Sequence, residues 1–471
     1  MKFLNRVKEL NRLNKAVSQS ESVFIVIWGR RRVGKTRLLL EWVSGHNGLY
    51  WVADESSAAV QRQYFAETLE TFLPGFASVQ YPDWGSLFTR LAVDAEHKHW
   101  RGPLVIDEFP YLVSDSPELP SILQRFIDHE AKRAKLIVAI SGSSQRMMQG
   151  LVLNADEPLY GRAQEIIKLK EIPLRYISEA LNLENPYHCV QAYSIWGGIP
   201  RYWEFAAPFK ENILESIEAL VLDPDGPLQE EPHRLLIEET PSALGLRPIL
   251  DVIGLGSHKL SEIAGRLGQP STSLSRPIER LKDLEFIEKE IPFGCHEASS
   301  KRTLYKIRDP FLRFWYEVVA PKRSIYMQIS KKARLELIKD IMPHIFAQSW
   351  EELCRQSVPM LFENKENLFF EPARRFWHGN GPEWDIASLS LDHKILLIGE
   401  VKWTINTPSV EFVQNTISKL ISKGTPTPLQ SGTKILYAIF IPIKPKETLT
   451  LPENVRVFDA TDVLIKNLEA R

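Results

Sequence analysis

Residues 22–43 read SVFIVIWGRRRVGKTRLLLEWV. The first part, Val23–Trp28, is a continuous apolar run of the kind a parallel strand covered on both faces needs. Gly29-x-x-x-x-Gly34-Lys35-Thr36 and a helix-forming segment follow it. That spacing is the phosphate-binding P-loop pattern, in its required strand–loop–helix setting. The glycines let main-chain N–H groups curl around phosphate oxygens, and the helix N-terminus adds partial positive charge. The expected cradle is therefore Gly29, Arg30, Arg31, Arg32, Val33, Gly34, Lys35, Thr36 and Arg37, with ATP as its ligand. Lys35 is expected to reach the β- and γ-phosphates, and the Thr36 hydroxyl to bind Mg2+.

Working outward, a second apolar strand, GPLVIDEF, ends in Asp107-Glu108. Acids at the C-terminal tip of a buried strand face the crevice where open α/β sheets bind ligands. Asp107 is expected to hold magnesium through water, and Glu108 to polarise the attacking water. A third strand, KLIVAISGSS, ends in small hydroxyl residues, and either Ser143 or Ser144 is placed to sense the γ-phosphate or simply to turn the chain. In PLYGRAQEIIKL, Arg162 precedes another apolar strand. Two readings stay open for it: fixed positive charge on the transferring phosphate, or an ordinary surface arginine.

From Pro173 to about Glu239 the pattern is helical, with proline-punctuated joints such as LDPDGPLQEEP. Next comes HKLSEIAGRLGQPSTSLSRPIERLKDLEFIEKEI, in which two amphipathic helices flank a Gly-Gln-Pro turn and a β-rich run follows. This reads as a helix-turn-helix with a wing. Ser273, Arg276 and Arg280 are balanced by Glu279, Asp283 and Glu285, so the second helix is less basic than a DNA-reading helix usually is. DNA contact and a packing or lever role both remain open. Pro277 removes a helical N–H and is expected to bend the segment.

Residues 383–403, EWDIASLSLDHKILLIGEVKW, read as two β-rich runs joined at Asp392-His393. If those two residues form the loop, Leu391 pairs with Lys394 and Asp385 falls opposite Glu400. Opposed residues share a face with Cβ atoms about 5 Å apart, and Lys402, two along, shares that face too. Like charges so placed are destabilising unless a divalent cation lies between them. Two carboxylates hold Mg2+ by hard oxygens, and a neighbouring lysine orients water or stabilises charge in the transition state. A three-residue loop would put Glu400 on the other face.

The bulk properties are permissive. At 471 residues the chain is expected to hold two to four domains. A net charge of −1 argues against a wholesale polyanion binder, while leaving room for a local basic groove. The three cysteines have no pairing or metal spacing, and no membrane span or signal peptide is expected, so a cytoplasmic location fits best.

FLNRVKEL, the P-loop, DEF, SGSS, LYGRA and WGGIPRY together resemble the archaeal-type ATPases of the AAA+/STAND class of P-loop proteins, over roughly the first 205 residues. The resemblance implies that residues 3–10 lie near the adenine and that Gly198-Ile199-Pro200, with Arg201, sits on a helical lid over the nucleotide. The C-terminal segment resembles the PD-(D/E)xK nuclease superfamily: Asp385 matches its first acid, Glu400-Val401-Lys402 its ExK triplet, and Glu351 the acid many members carry on a preceding helix. Trp384 stands where the name-giving motif has proline. The expected fold class is α/β: a P-loop NTPase parallel-sheet core over 1–172, a helical lid over 173–238, a winged helix over 239–310 and a restriction-endonuclease-like domain over 311–471. The function implied is an ATPase whose nucleotide state controls a nuclease-like domain acting on DNA or RNA. The alternative is a regulatory switch that presents different surfaces to a protein or DNA partner, with the C-terminal domain an inactive platform used for binding; a protein partner or self-association is left open in either case.

Overall fold

The computed structural model describes residues 2–239, 245–296, 302–379, 381–426 and 432–464. Its described residues form two compact units: Met1–Ile172 with Ile199–Arg201 and Leu235–Ala243, and Pro173–Gly198 with Tyr202–Arg234 and Leu244–Arg471.

In the first unit, five strands form one sheet: β1 (Val23–Trp28), β2 (Leu49–Val52), β3 (Leu104–Asp107), β4 (Ile137–Gly142) and β5 (Glu165–Lys168). Their order is β2-β3-β4-β1-β5, and every pairing is parallel. The continuous apolar runs follow from that placement. Every residue of β1 and of β4 is buried, because helices cover both faces. Side chains alternate between faces. Val23, Ile25 and Ile27 pack with Leu38, Leu39, Trp42 and Val43 of the helix Lys35–Ser44. Phe24, Val26 and Trp28 enter the opposite core with Trp84, Leu87, Phe88 and Leu91 of the helix Trp84–His97. Each such large side chain contributes about 1.5–3 kcal/mol of burial.

The second unit begins with helices, including Pro186–Trp196, and carries three further helices at Arg247–Gly254, Leu260–Leu267 and Ser271–Asp283. Gly268, at φ 63°, ends the second of these three. The antiparallel pair β6 (Ile287–Glu290) and β7 (Leu304–Ile307) follows. The helix Ser271–Asp283 runs on through Pro277. The carbonyl that Pro277 leaves without its helical donor belongs to Ser273, which is solvent-exposed and loses little.

The last sheet contains β8 (Arg374–Phe376), β9 (Trp384–Leu389), β10 (Ile395–Val401), β11 (Lys434–Phe440) and β12 (Val455–Phe458), in the order β12-β11-β10-β9-β8. β10, β11 and β12 are parallel, whereas β8 and β9 run antiparallel to their neighbours. The helix Val410–Ser422 joins β10 to β11 and buries Val413, Ile417 and Leu420 against one face.

The β9–β10 connection differs from the expected two-residue loop. Ser390 N–H donates to the Ile395 carbonyl at 2.9 Å, so four residues, 391–394, lie between the closing pair. The Ser390 hydroxyl takes the Ile395 N–H, and His393 adopts φ 58°, a conformation that closes the turn. Lengthening the loop by one residue on each side preserves the register. Ile386 pairs with Gly399, and the next step along the ladder sets Asp385 against Glu400.

Among the described residues, no helix is long and apolar enough to cross a membrane.

Candidate nucleotide site and C-terminal acidic site

The loop after β1 needs its glycines. Gly29 has φ 157°, and a Cβ there would sit 2.4 Å from the Leu169 carbonyl oxygen. Gly34, at φ 99°, is the residue from which the helix Lys35–Ser44 starts. A Cβ at Gly34 would lie 3.8 Å from Pro200 Cγ, so Pro200 stands beside the loop. Val33 is buried, and its carbonyl accepts a 2.8 Å hydrogen bond from the buried Arg6 guanidinium. The segment 3–10 thus reaches the loop through Arg6, while Phe3 and Leu10 pack on the neighbouring core.

Lys35 is 5% exposed, and its ammonium donates to the carbonyls of Gly29 at 2.9 Å and Arg30 at 3.3 Å. Burial pulls its pKa down, with Glu108 and Asp107 opposing that shift. A buried cation that donates to carbonyls of its own loop is poised to exchange them for phosphate oxygens. Arg31 is engaged with the Tyr111 hydroxyl at 3.0 Å and with Glu238 at 2.9 Å. Arg32 takes φ 64° inside the loop, and Arg37 points to solvent from the helix.

At the end of β3, Asp107 is fully buried. Its Oδ2 accepts from the Thr36 hydroxyl at 2.9 Å and from the Tyr50 hydroxyl at 2.8 Å, and its Oδ1 from Glu108 N–H at 2.9 Å. Glu108 adopts φ 53° at the start of the next helix. Its carboxylate accepts from the Ser143 hydroxyl at 2.8 and 2.9 Å and from Ser143 N–H at 3.2 Å. Of the two serines, Ser143 therefore joins the site, and Ser144 caps the helix Gln145–Leu153.

Arg162 is engaged at the turn before β5. Its guanidinium pairs with Asp128 at 3.0 Å and donates to the carbonyls of Pro158 and Tyr160.

Glu239 is a further acid at the loop. Burial pushes its carboxyl up to about 7, with a Gln145 N–H bond and the charges of Arg30 and Lys35 opposing.

In the second unit, Asp385 Oδ2 accepts from Val401 N–H at 2.9 Å across the hairpin. Burial, then the charges of Glu351 and Glu400, raise the Asp385 carboxyl to about 6. Glu400 is bracketed by two lysines: Lys402 Nζ lies 2.6 Å from Oε1, and Lys423 Nζ 2.5 Å from Oε2. Burial works to raise the Glu400 pKa, but these hydrogen bonds hold it below the usual range. Glu351 sits on the helix Met342–Glu366, 3.6 Å from Arg355, which also donates to the Asp385 carbonyl at 3.2 Å. Among the described residues no set of three or more His, Cys, Asp or Glu groups converges as metal ligands. The charges of Glu351 and Glu400 act on Asp385, but the expected trio Asp385, Glu400 and Glu351 does not converge as one ligand set, and Glu400 is paired with lysines instead. A cavity of about 510 Å³ opens beside them, lined by Glu351, Arg355, Asp385, Glu352, Lys306 and His258 among others.

Residues 3–204 match a family described as an ATPase domain predominantly from Archaea. Residues 315–413 match one described as archaeal and bacterial proteins of unknown function. The chain is 30% identical over 405 residues to the uncharacterized protein MJECL04 of Methanocaldococcus jannaschii, across 85% of this chain and 87% of that protein. The chain belongs to this archaeal-type ATPase family. It is similar in fold to the solved Walker-type ATPase paby2304 of Pyrococcus abyssi, with TM-score 0.50 and 20% identity over 67% of this chain and 96% of that one. The ORC2 protein of Aeropyrum pernix aligns with TM-score 0.41 and 14% identity over 73% of this chain and 95% of that one.

The archaeal-type ATPase is a P-loop NTP hydrolase that binds ATP. Three residues at its two sites escape a reading of motifs. Tyr50 lies on an edge strand with no pattern of its own, and Glu239, on a helix, and Lys423, just past the end of one, lie far along the chain from the groups they meet. Only the tertiary fold brings them in.

Proposed function

We propose that ATP binding and hydrolysis by the first unit control a metal-dependent, nuclease-like domain that acts on DNA or RNA. The observation that carries this reading is the register of the β9–β10 hairpin, which sets Asp385 against Glu400 with Lys402 on the same face. Domains are assigned as an ATPase core over 1–172, a helical lid over 173–238, a winged helix over 239–310 and a nuclease-like domain over 311–471. The helices Leu260–Leu267 and Ser271–Asp283 with the β6–β7 pair support the winged-helix assignment. The mixed sheet and its flanking helices support the nuclease-like one.

At the nucleotide site, Lys35 exchanges its two carbonyl partners for phosphate oxygens, and Gly29 through Arg37 wrap the phosphate chain. The donor set around Asp107 fits magnesium: a carboxylate and a hydroxyl are hard oxygen groups. Thr36 gives its proton to Asp107, which leaves the hydroxyl lone pairs free for a cation. Bound there with ATP, Mg2+ supplies charge neutralisation at the β- and γ-phosphates. Glu108 accepts the proton of the attacking water once it is released from Ser143. Pro200, beside Gly34, belongs to the lid segment.

At the C-terminal site, Asp385, Glu400 and Glu351 are the metal-holding acids, and Lys402 is the catalytic lysine. A route for control runs along the helix Pro186–Trp196. Its Tyr187 ring stacks at 4.7 Å on Trp403, next to Lys402, and its far end leads into Gly198-Ile199-Pro200. Cleavage of single- or double-stranded DNA or RNA with Mg2+ or Mn2+ and ATP, lost on Lys402→Ala, is the expected result. Equal cleavage by that variant contradicts the assignment.

A second reading is favoured by one observation. Both Glu400 oxygens are occupied by lysines, as in a domain that binds without cutting. That reading makes the protein a nucleotide-driven switch toward a protein or DNA partner. It predicts different small-angle scattering profiles with ADP and with an ATP analogue, and identical profiles exclude it.

A further inference from the structure

We propose that Tyr50 is a positioning residue for magnesium at the ATPase site, acting through Asp107. The inference rests on the assignment of Thr36 and Asp107 to the metal.

Tyr50 stands on β2, the edge strand, and pairs with Val105, while Val52 pairs with Asp107. Residues two apart along a strand share a face, so Tyr50, Val105 and Asp107 present their side chains on the same side of the sheet. That is the side on which the helix beginning with Lys35-Thr36 packs. The phenol ring packs on that core, and its hydroxyl reaches Asp107 Oδ2 at 2.8 Å.

Asp107 has no solvent to orient it, being fully buried. The carboxylate turns about a terminal torsion that is intrinsically broad. Three donors remove that freedom: Glu108 N–H on Oδ1, and the Thr36 and Tyr50 hydroxyls on Oδ2. Two of them come from Glu108 and Thr36, the residues assigned to the reaction itself. Tyr50 is the remaining donor. Its hydroxyl keeps the carboxylate plane turned so that Oδ2 receives the Thr36 proton, which in turn aims the Thr36 lone pairs outward. Partners of this outer kind, which hold a ligand-bearing group rather than the metal, are worth roughly 10–100-fold in metal affinity.

Tyr50→Phe deletes a single oxygen and keeps the ring in its packing. The test titrates Mg2+ into the full-length protein with a fluorescent ATP analogue, and repeats nucleotide binding in EDTA. Wild type is expected to bind the analogue more tightly as Mg2+ rises. Tyr50→Phe is expected to need roughly ten-fold more Mg2+ or beyond for the same midpoint, with metal-free affinity within about two-fold of wild type, since Lys35 and the loop amides are untouched. Saturating Mg2+ is expected to restore most of the hydrolysis rate. An unchanged Mg2+ midpoint overturns the proposal, and so does an equal loss of affinity with and without the metal, which marks a structural role. Wild-type binding that ignores Mg2+ altogether overturns the metal assignment itself, and is read from the wild-type arm alone.

Discussion

Asp385 faces Glu400 across the β9–β10 hairpin, one step beyond the Ile386–Gly399 pair. Two carboxylates in that relation repel, and the chain handles them unequally. Glu400 is held charged by Lys402 and Lys423, while Asp385 is pushed up to about 6 by burial and by the neighbouring acids. The pair is therefore unsymmetrical before any cation arrives: one member ionised, the other titrating near neutrality.

That asymmetry has a pH signature. Asp385 is raised above its ordinary value of 3.8, so its ionisation costs the folded state stability. The cost is absent below about pH 4, grows as pH rises, and is complete above about pH 6. Asp385→Asn removes the charge and is expected to stabilise the protein at pH 7.5 by about 1–3 kcal/mol. Urea melts in EDTA check it: the midpoints separate at pH 7.5 and converge near pH 4. Added Mg2+ or Mn2+ is expected to stabilise wild type more than the variant.

Lys35→Ala is expected to weaken ATP binding by roughly 100-fold, the loss of one or two charge-assisted hydrogen bonds to phosphate. Equilibrium binding of a fluorescent ATP analogue measures it. Unchanged affinity would show that Lys35 does not leave its two carbonyls for the nucleotide.

Glu239 gives a second pH dependence, of affinity. Its carboxyl, at about 7, is buried near Lys35 and Arg30, with Glu238 beside it. Below pH 7 it is neutral, and above it the carboxylate competes with phosphate for the same cations. Glu239→Gln is expected to tighten ATP binding several-fold at pH 8 and to leave it nearly unchanged at pH 6. A variant that follows the wild-type pH profile removes Glu239 from the nucleotide's surroundings.

The two sites differ in how much of them can be read from the chain. The P-loop is legible because its chemistry is local: Gly29, Gly34, Lys35 and Thr36 lie within eight consecutive residues, and backbone shape specifies them. The Asp385–Glu400 pairing is legible because side chains alternate along strands, so register follows from parity. The two-residue turn was the wrong connection, yet a four-residue one has the same parity and the same outcome. Tyr50, Glu239 and Lys423 are not legible. Each meets its partner through packing between elements distant in sequence, and nothing in its own neighbourhood announces that meeting. The Arg162–Asp128 pair is hidden for a related reason: Asp128 is thirty-four residues away and outside any motif.

In the proposed function, a metal held between the facing acids would cut nucleic acid under nucleotide control. The direct measurement is cleavage of labelled DNA and RNA by the full-length protein with Mg2+ or Mn2+, without nucleotide, with ADP and with ATP, beside Asp385→Ala. Metal-dependent cleavage by wild type is expected to change at least several-fold between ADP and ATP and to be abolished in Asp385→Ala. Cleavage that survives in Asp385→Ala, or none by wild type under any nucleotide, contradicts it.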